Sequence, residues 1–287
     1  MAEGPIKPFL RWAGGKSLFV KSILERLPSK ERIGKYYEPF LGAGSVFLAY
    51  QPKATKLSDL NKQLIDTFAA IKENPRLVYR YLRELASEDS ERNYYKIRDQ
   101  YNHGSKSMKQ AARFIYLNKT CFNGIFRVNT EGKFNVPYGY KKKIMLPSTD
   151  HLLSISRLLS NADLGVQNYK DAVSTASEGD LVYLDPPYPP INSSSYFTHY
   201  TKERFSQNAQ CEVAEVADDL NVRGCFVLVT NADTAEIRRL YDGWYMHRIE
   251  RTRWITSSKQ KHKVGELIIS NYIPKEEDAD ADNKRAD

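Results

Sequence analysis

Cysteine is scarce in this 287-residue chain: Cys121, Cys211 and Cys225 are odd in number, far apart and never spaced as CxxC. That pattern argues against a disulfide framework and against a zinc ribbon, and it favours a reducing compartment. Long apolar runs are missing too. The strongest is Cys225-Phe226-Val227-Leu228-Val229, far short of the roughly 18 residues of a membrane-spanning helix. Lys7, Arg11, Lys16 and Lys21 interrupt the first apolar positions, so no clean signal-peptide core is formed. The chain reads as cytoplasmic, without a membrane partner, and its His and Cys residues form no cluster to hold a metal. What is present suits a folded chain, with 41% apolar, 12% aromatic and 27% charged residues. A disordered polymer, a collagen and a coiled coil are excluded. The length fits one domain, or a core with one inserted subdomain.

The net charge of +8 is concentrated: residues 106–143 carry nine Lys and Arg against Glu131 alone. Phe114, Tyr116, Phe122, Phe126, Phe134, Tyr138 and Tyr140 interleave with them. Such a mixture suits either a solvated basic face over a small aromatic core, or a surface where cations meet phosphates and rings stack on bases. A second run, Arg248 to Lys263, sets six cations against Glu250 and tilts the balance toward a polyanion.

Apolar spacing divides the chain. Val20, Ile23, Leu24 and Leu27 predict a helix closed by Pro28. A strand at 35–38, a glycine-rich turn, a helix over 45–50 and a strand near 55–58 begin a parallel α/β unit. From about 61 to 150 strand signals are scarce, and helices are predicted on Leu64–Ile71, Leu77–Leu85 and Ala111–Asn118. After about 164 strands return at 180–185 and 225–230, then as a hairpin near 245–255 and 264–272. Helices are predicted over 207–222 and 233–241. The expected fold is α/β, with a Rossmann-like sheet from residues 1–60 and 151–275, a helical insertion over 61–150 and a disordered acidic tail over 276–287.

Three motifs carry chemistry. Asp185-Pro186-Pro187-Tyr188 follows an apolar strand, where α/β sheets place their ligands. Two prolines fix the backbone and leave the Pro186 carbonyl without a ladder partner. A planar amine could then give one hydrogen to Asp185 and one to that carbonyl while its ring stacks on Tyr188. Such a tetrad would hold a flipped-out base by its Watson–Crick edge; the bland alternative is a rigid polyproline turn. Glu38-Pro39-Phe40-Leu41-Gly42-Ala43-Gly44-Ser45 places glycines at a strand-to-helix turn. Asp59 then ends the next strand, as an acceptor for ribose hydroxyls. Alone this could be a simple turn, and Phe47 in place of a third glycine argues against a nicotinamide enzyme. Arg11-Trp12-Ala13-Gly14-Gly15-Lys16 is only a partial phosphate loop, because Leu10 stands where that loop demands glycine.

Taken in order, RWAGGK, YYEPFLGAGSVFL, LSDLN, LNKTCFNGIFRVN, GKFNVPYGYKK and VYLDPPYPP resemble a Dam-type DNA adenine-N6 methyltransferase of the α group, over about residues 7 to 272. The resemblance implies an S-adenosylmethionine-dependent methyltransferase sheet with a helical DNA-recognition insertion. It implies a cofactor pocket lined by Trp12, Lys16, Asp59 and Asp185 over a loop shaped by Phe40, Gly42 and Gly44. Asp185, Pro186 and Tyr188 are implied to hold the flipped adenine. Phe122 takes the place of a tyrosine wedge, Asn123 of a phosphate contact, and Ile125 and Arg127 of base readers. Arg11 stands where a lysine often reaches guanine, and Lys141 where some relatives have tyrosine. Lys259, Lys261 and Lys263 match a hairpin that meets phosphates. The implied substrate is double-stranded DNA methylated in GATC by a monomer, through direct in-line displacement without metal. A segment at 192–200 is expected to close over the nucleotide. Cytosine-N4 or RNA adenine methylation, and a DNA-binding regulator that has lost catalysis, are the alternatives.

Overall fold

The computed structural model describes residues 4–188, 207–254 and 261–274, with backbone alone at 251–254 and 261–264. Its first half runs α1 (Val20–Arg26), β1 (Tyr36–Glu38), α2 (Ser45–Tyr50), β2 (Thr55–Asp59), α3 (Lys62–Glu73), α4 (Pro75–Ser87), α5 (Glu91–Asn102) and α6 (Met108–Thr120). A single 3-10 turn, Phe122–Gly124, then leads into an irregular ribbon. The second half runs α7 (Thr149–Leu159), β3 (Ala162–Val166), α8 (Tyr169–Val173), β4 (Leu181–Leu184), α9 (Gln207–Val222), β5 (Phe226–Ala232), α10 (Ala235–Leu240), β6 (Tyr245–Trp254) and β7 (Lys261–Ser270).

The strands form a seven-stranded sheet in the order β3-β2-β1-β4-β5-β7-β6. The first five are parallel, and β7 runs antiparallel to both β5 and β6. This is a Rossmann-like α/β sheet, and the strand order reverses between β1 and β4. Ligands bind outside the carboxyl ends of the strands at such a switch point.

Side-chain alternation along the strands sorts the core into two layers. Tyr36, Leu181, Tyr183, Leu228 and Ile268 point into one, with Ile23, Phe47, Phe68 and the helices up to α7. Tyr37, Val182, Leu184, Val227, Val229, Leu267 and Ile269 point into the other, with Val213, Ala217 and Leu220 of α9 and Ile237 of α10. Both faces are covered, which is why β4 reads as a continuous apolar run. The first layer extends without a break into Tyr94, Ile97, Phe114 and Phe134 of the 61–150 segment.

The helices and strands named above from spacing are present. Missed were α5, α7, β3 and α8. Asn61, Asn74, Ser90, Ser107 and Ser148 each accept a backbone N–H in the first turn of the helix they open, as N-cap residues do. Among the described residues no helix is long and apolar enough to cross a membrane.

Candidate active site

The parallel strands deliver their carboxyl ends to one edge, and the chemistry-bearing residues meet there. At the end of β4, Asp185 lies beside the buried ammonium of Lys16, whose Nζ is 2.6 Å from Oδ1 and 2.8 Å from Oδ2. Lys16 Nζ also donates to the Gly14 carbonyl at 2.9 Å and stands 4.6 Å from the centre of the Tyr188 ring. Thr230, on β5, donates its hydroxyl to Asp185 Oδ1 at 2.7 Å and lies 2.9 Å from the Tyr183 hydroxyl. Burial pushes the Asp185 carboxyl above the ordinary aspartate range, against the pull of Lys16 and of the Thr230 hydroxyl. It is therefore a better proton acceptor than a free aspartate side chain. Both its oxygens are engaged, so an incoming amine must share them with Lys16.

The rest of the tetrad is pinned separately. Gln210 of α9 donates to the Pro187 carbonyl at 2.8 Å and accepts from Asn231 of β5 at 2.8 Å. The Tyr188 hydroxyl donates to Glu266 of β7 at 2.9 Å. Among the described residues nothing donates to the Pro186 carbonyl.

At the neighbouring strand end the glycine-rich loop passes under Trp12. Gly42 has φ of 49°, and a Cβ there would lie 2.8 Å from Trp12 Cδ1, so only glycine lets the indole sit on the loop. Asp59 accepts the Gly42 N–H at 3.0 Å and the Asn61 N–H at 2.8 Å. Burial raises its pKa and those two bonds oppose the rise. Phe40 stacks on Tyr169 with ring centres 5.2 Å apart. Beneath the loop, Glu38 is buried and accepts the Tyr36 hydroxyl at 2.7 Å and the Phe47 N–H at 3.0 Å. Burial pushes its carboxyl up to about 8 despite the Tyr36 bond, and the Asp185 charge adds to the rise. The set fits S-adenosylmethionine. Asp59 offers an acceptor-only carboxylate for ribose hydroxyls, and the backbone of Gly42 allows close approach under Trp12.

A second cluster lies along the ribbon after α6. The Asn118 amide clasps the Arg11 backbone at 2.9 and 2.8 Å, and the Arg11 side chain packs over Gly124, where a Cβ would lie 2.5 Å from Arg11 Cδ. Trp12 stacks on Phe126 at 5.6 Å. Six residues of the amino-terminal loop thus join the ribbon, through Arg11 and Trp12, to Asp185, through Lys16. Phe122 is 52% exposed, and Asn123 beside it has φ of 54°, a left-handed conformation that asparagine tolerates. Ile125 is half-buried and Arg127 exposed; the Arg127 Nε donates to the Asn135 side chain at 2.8 Å. Lys141 Nζ donates to the Lys119 carbonyl. Burial pulls the Lys119 ammonium down to about 8, with Arg11 and Lys141 adding repulsion, and Lys141 is lowered by burial and Arg11.

Of the candidates from sequence, Lys16, Asp185, Pro186 and Tyr188 meet at one point. Trp12, Phe40, Gly42, Gly44 and Asp59 line the adjoining loop, and Arg11, Phe122, Asn123, Ile125, Arg127 and Lys141 share the ribbon. Lys259, the segment 192–200 and the tail 276–287 lie outside the described residues, and Lys261 and Lys263 are placed on β7 by backbone alone. Thr230, Gln210, Asn231 and Glu266 were not singled out, and Glu38 and Lys119 stood in the motifs without a role of their own. The readable signal was polar residues inside apolar strands, as in Thr230-Asn231 and Gly265-Glu266-Leu267.

The family model of the D12 class of N6 adenine-specific DNA methyltransferases matches residues 12–255. The chain is 35% identical to the type II methyltransferase M.MjaIII of Methanocaldococcus jannaschii over 287 residues, covering 93% of this chain and 99% of that one. It is 33% identical to the type II methyltransferase M1.LlaDCHI of Lactococcus lactis, and 33% identical to the DNA adenine methylase of Escherichia coli. Each alignment covers 93% of this chain and 96% of the relative.

Proposed function

The chain belongs to the D12 class of N6 adenine-specific DNA methyltransferases, and from that premise we propose that it methylates a flipped-out adenine within GATC in double-stranded DNA, as a cytoplasmic monomer. The observation that carries the reading is the junction at Asp185. One carboxylate, one proline carbonyl to which no described residue donates and one aromatic face converge at the switch point, and the loop bearing Lys16 packs, through Arg11 and Trp12, against the ribbon bearing Phe122 and Arg127.

Bound S-adenosylmethionine supplies an electrophilic methyl group whose sulfur departs as a neutral thioether; Trp12, Lys16, Phe40, Gly42, Gly44 and Asp59 are the residues to hold it. Asp185 and the Pro186 carbonyl take the two hydrogens of the adenine amine, which localises the nitrogen lone pair. The localised pair would accept the methyl group that the bound cofactor supplies, and the positive charge would pass from sulfur to nitrogen. Asp185, made more basic by burial, then takes one proton. Lys16 balances its charge before the base arrives, and positioning does much of the work. On the DNA, Phe122 fills the gap left by the base, which offsets a flipping cost of a few kcal/mol. Asn123, Lys119, Lys141 and the 259–263 lysines meet phosphates. Arg127 offers its fork to guanine O6 and N7, with Arg11 and Ile125 beside it.

Plasmid from cells lacking adenine methylation, expressing the wild type, should become sensitive to a nuclease that cuts only methylated GATC, and Asp185→Ala should abolish this. N6-methyladenine elsewhere, with GATC untouched, would keep the reaction and discard the target.

A further inference from the structure

Glu266 contributes nothing to the roles assigned above, yet it is a carboxylate only 3% exposed, set in the middle of an apolar strand. Antiparallel pairing of β7 on β5 sets Glu266 opposite Ala232, at the strand end that also carries Thr230 and Asn231. Its Oε2 accepts the Tyr188 hydroxyl at 2.9 Å. The tetrad backbone is held independently, by Gln210 on the Pro187 carbonyl, so among the described residues the hydrogen bond that fixes the Tyr188 ring itself is the one to Glu266. The ring already faces a cation, with Lys16 Nζ 4.6 Å from its centre. Burial, and the charges of Asp185 and Glu266, hold the phenol proton in place far above neutral pH, so Tyr188 is a donor at any working pH. A phenol donating to a carboxylate gains electron density on its ring, and an electron-rich face attracts positive charge more strongly.

We propose that Glu266 is a positioning residue for methyl transfer. By holding the Tyr188 hydroxyl it fixes the plane on which the flipped adenine stacks, and it enriches that face toward the positive charge that develops on the adenine nitrogen. The role rests on the adenine-methylating reading above.

The test compares Glu266→Gln, which keeps an acceptor without the charge, with Tyr188→Phe, which keeps the ring without the donor, and with the double variant. Single-turnover transfer to duplex DNA is measured beside the fluorescence of 2-aminopurine at the target position without cofactor, DNA affinity and melting temperature. Each single variant is expected to slow transfer roughly tenfold, the scale of one charge-assisted hydrogen bond. The double variant should be no slower than the slower single one. The extruded 2-aminopurine should be less quenched, with DNA affinity unchanged. Wild-type rate and quenching in Glu266→Gln, or losses that simply add, overturn the proposal, as does a rate loss that vanishes once a lower melting temperature is compensated by cooling. A wild type that transfers no methyl to DNA adenine overturns the reading and the proposal together; an active wild type with an unaffected Glu266→Gln overturns the proposal alone.

Discussion

Around Asp185 the polar side chains are buried and answer one another: Lys16, Thr230, Gln210, Asn231 and Glu266 each hold a stated partner. Along the ribbon from Asn118 to Lys141 the reverse holds. Phe122 and Arg127 are exposed, Asn123 is left-handed, and Arg11, Lys119 and Lys141 repel one another. In the first region protein partners hold the polar groups in place, which is what electrostatic catalysis requires. The second carries repulsion that a phosphate backbone would relieve. Chemistry and address are thus built by different physics, and one short loop, from Arg11 to Lys16, couples them.

The largest effect is expected at the buried pair. Asp185→Asn should cut turnover by about 10²–10⁴ and strand a buried ammonium, costing about 3–5 kcal/mol of stability. Adding Lys16→Met should restore the melting temperature but not the activity; turnover retained in Asp185→Asn would put the chemistry elsewhere. Next comes Phe122→Ala. Its ring is half-exposed, so the fold should be untouched, while base extrusion, followed by 2-aminopurine fluorescence, weakens by roughly tenfold or more. An unchanged extrusion would make Phe122 a bystander. Arg127→Ala should cost about 1–3 kcal/mol of discrimination at one base pair, read by competing substrates that differ there; uniform weakening across sequences would reduce it to a phosphate contact.

The smallest effect is a pH dependence with opposite signs for binding and folding. Lys119 titrates at about 8 in the folded chain, against about 10.4 unfolded. The unfolded state binds the extra proton between those values, so stability should rise with pH across that window. DNA affinity should fall as pH passes about 8, because the phosphate contact loses its charge. Lys119→Arg should flatten both curves, and parallel slopes in the variant and the wild type would contradict the assignment.

The sequence made most of the sheet legible, because strands covered on both faces leave continuous apolar runs such as Leu181–Leu184. What it hid was weakly patterned. In α5 only Tyr94, Ile97 and Tyr101 are buried among charges, and β3 is a half-exposed edge strand. The tetrad at the end of β4 was readable from four adjacent residues, and the turn after β1 from its glycines. Their supports were not, since Thr230 lies 45 residues from Asp185 and Glu266 lies 78 from Tyr188, and only the crossing of β5 and β7 brings them together. Lys119 was hidden for another reason: a basic stretch does not show which cation is buried.

The most direct measurement is mass spectrometry of nucleosides from the DNA of methylation-deficient cells expressing this chain or Asp185→Asn. The account predicts N6-methyladenine with the wild type and none with the variant. N4-methylcytosine instead, or no modified base from folded wild-type protein, would contradict it.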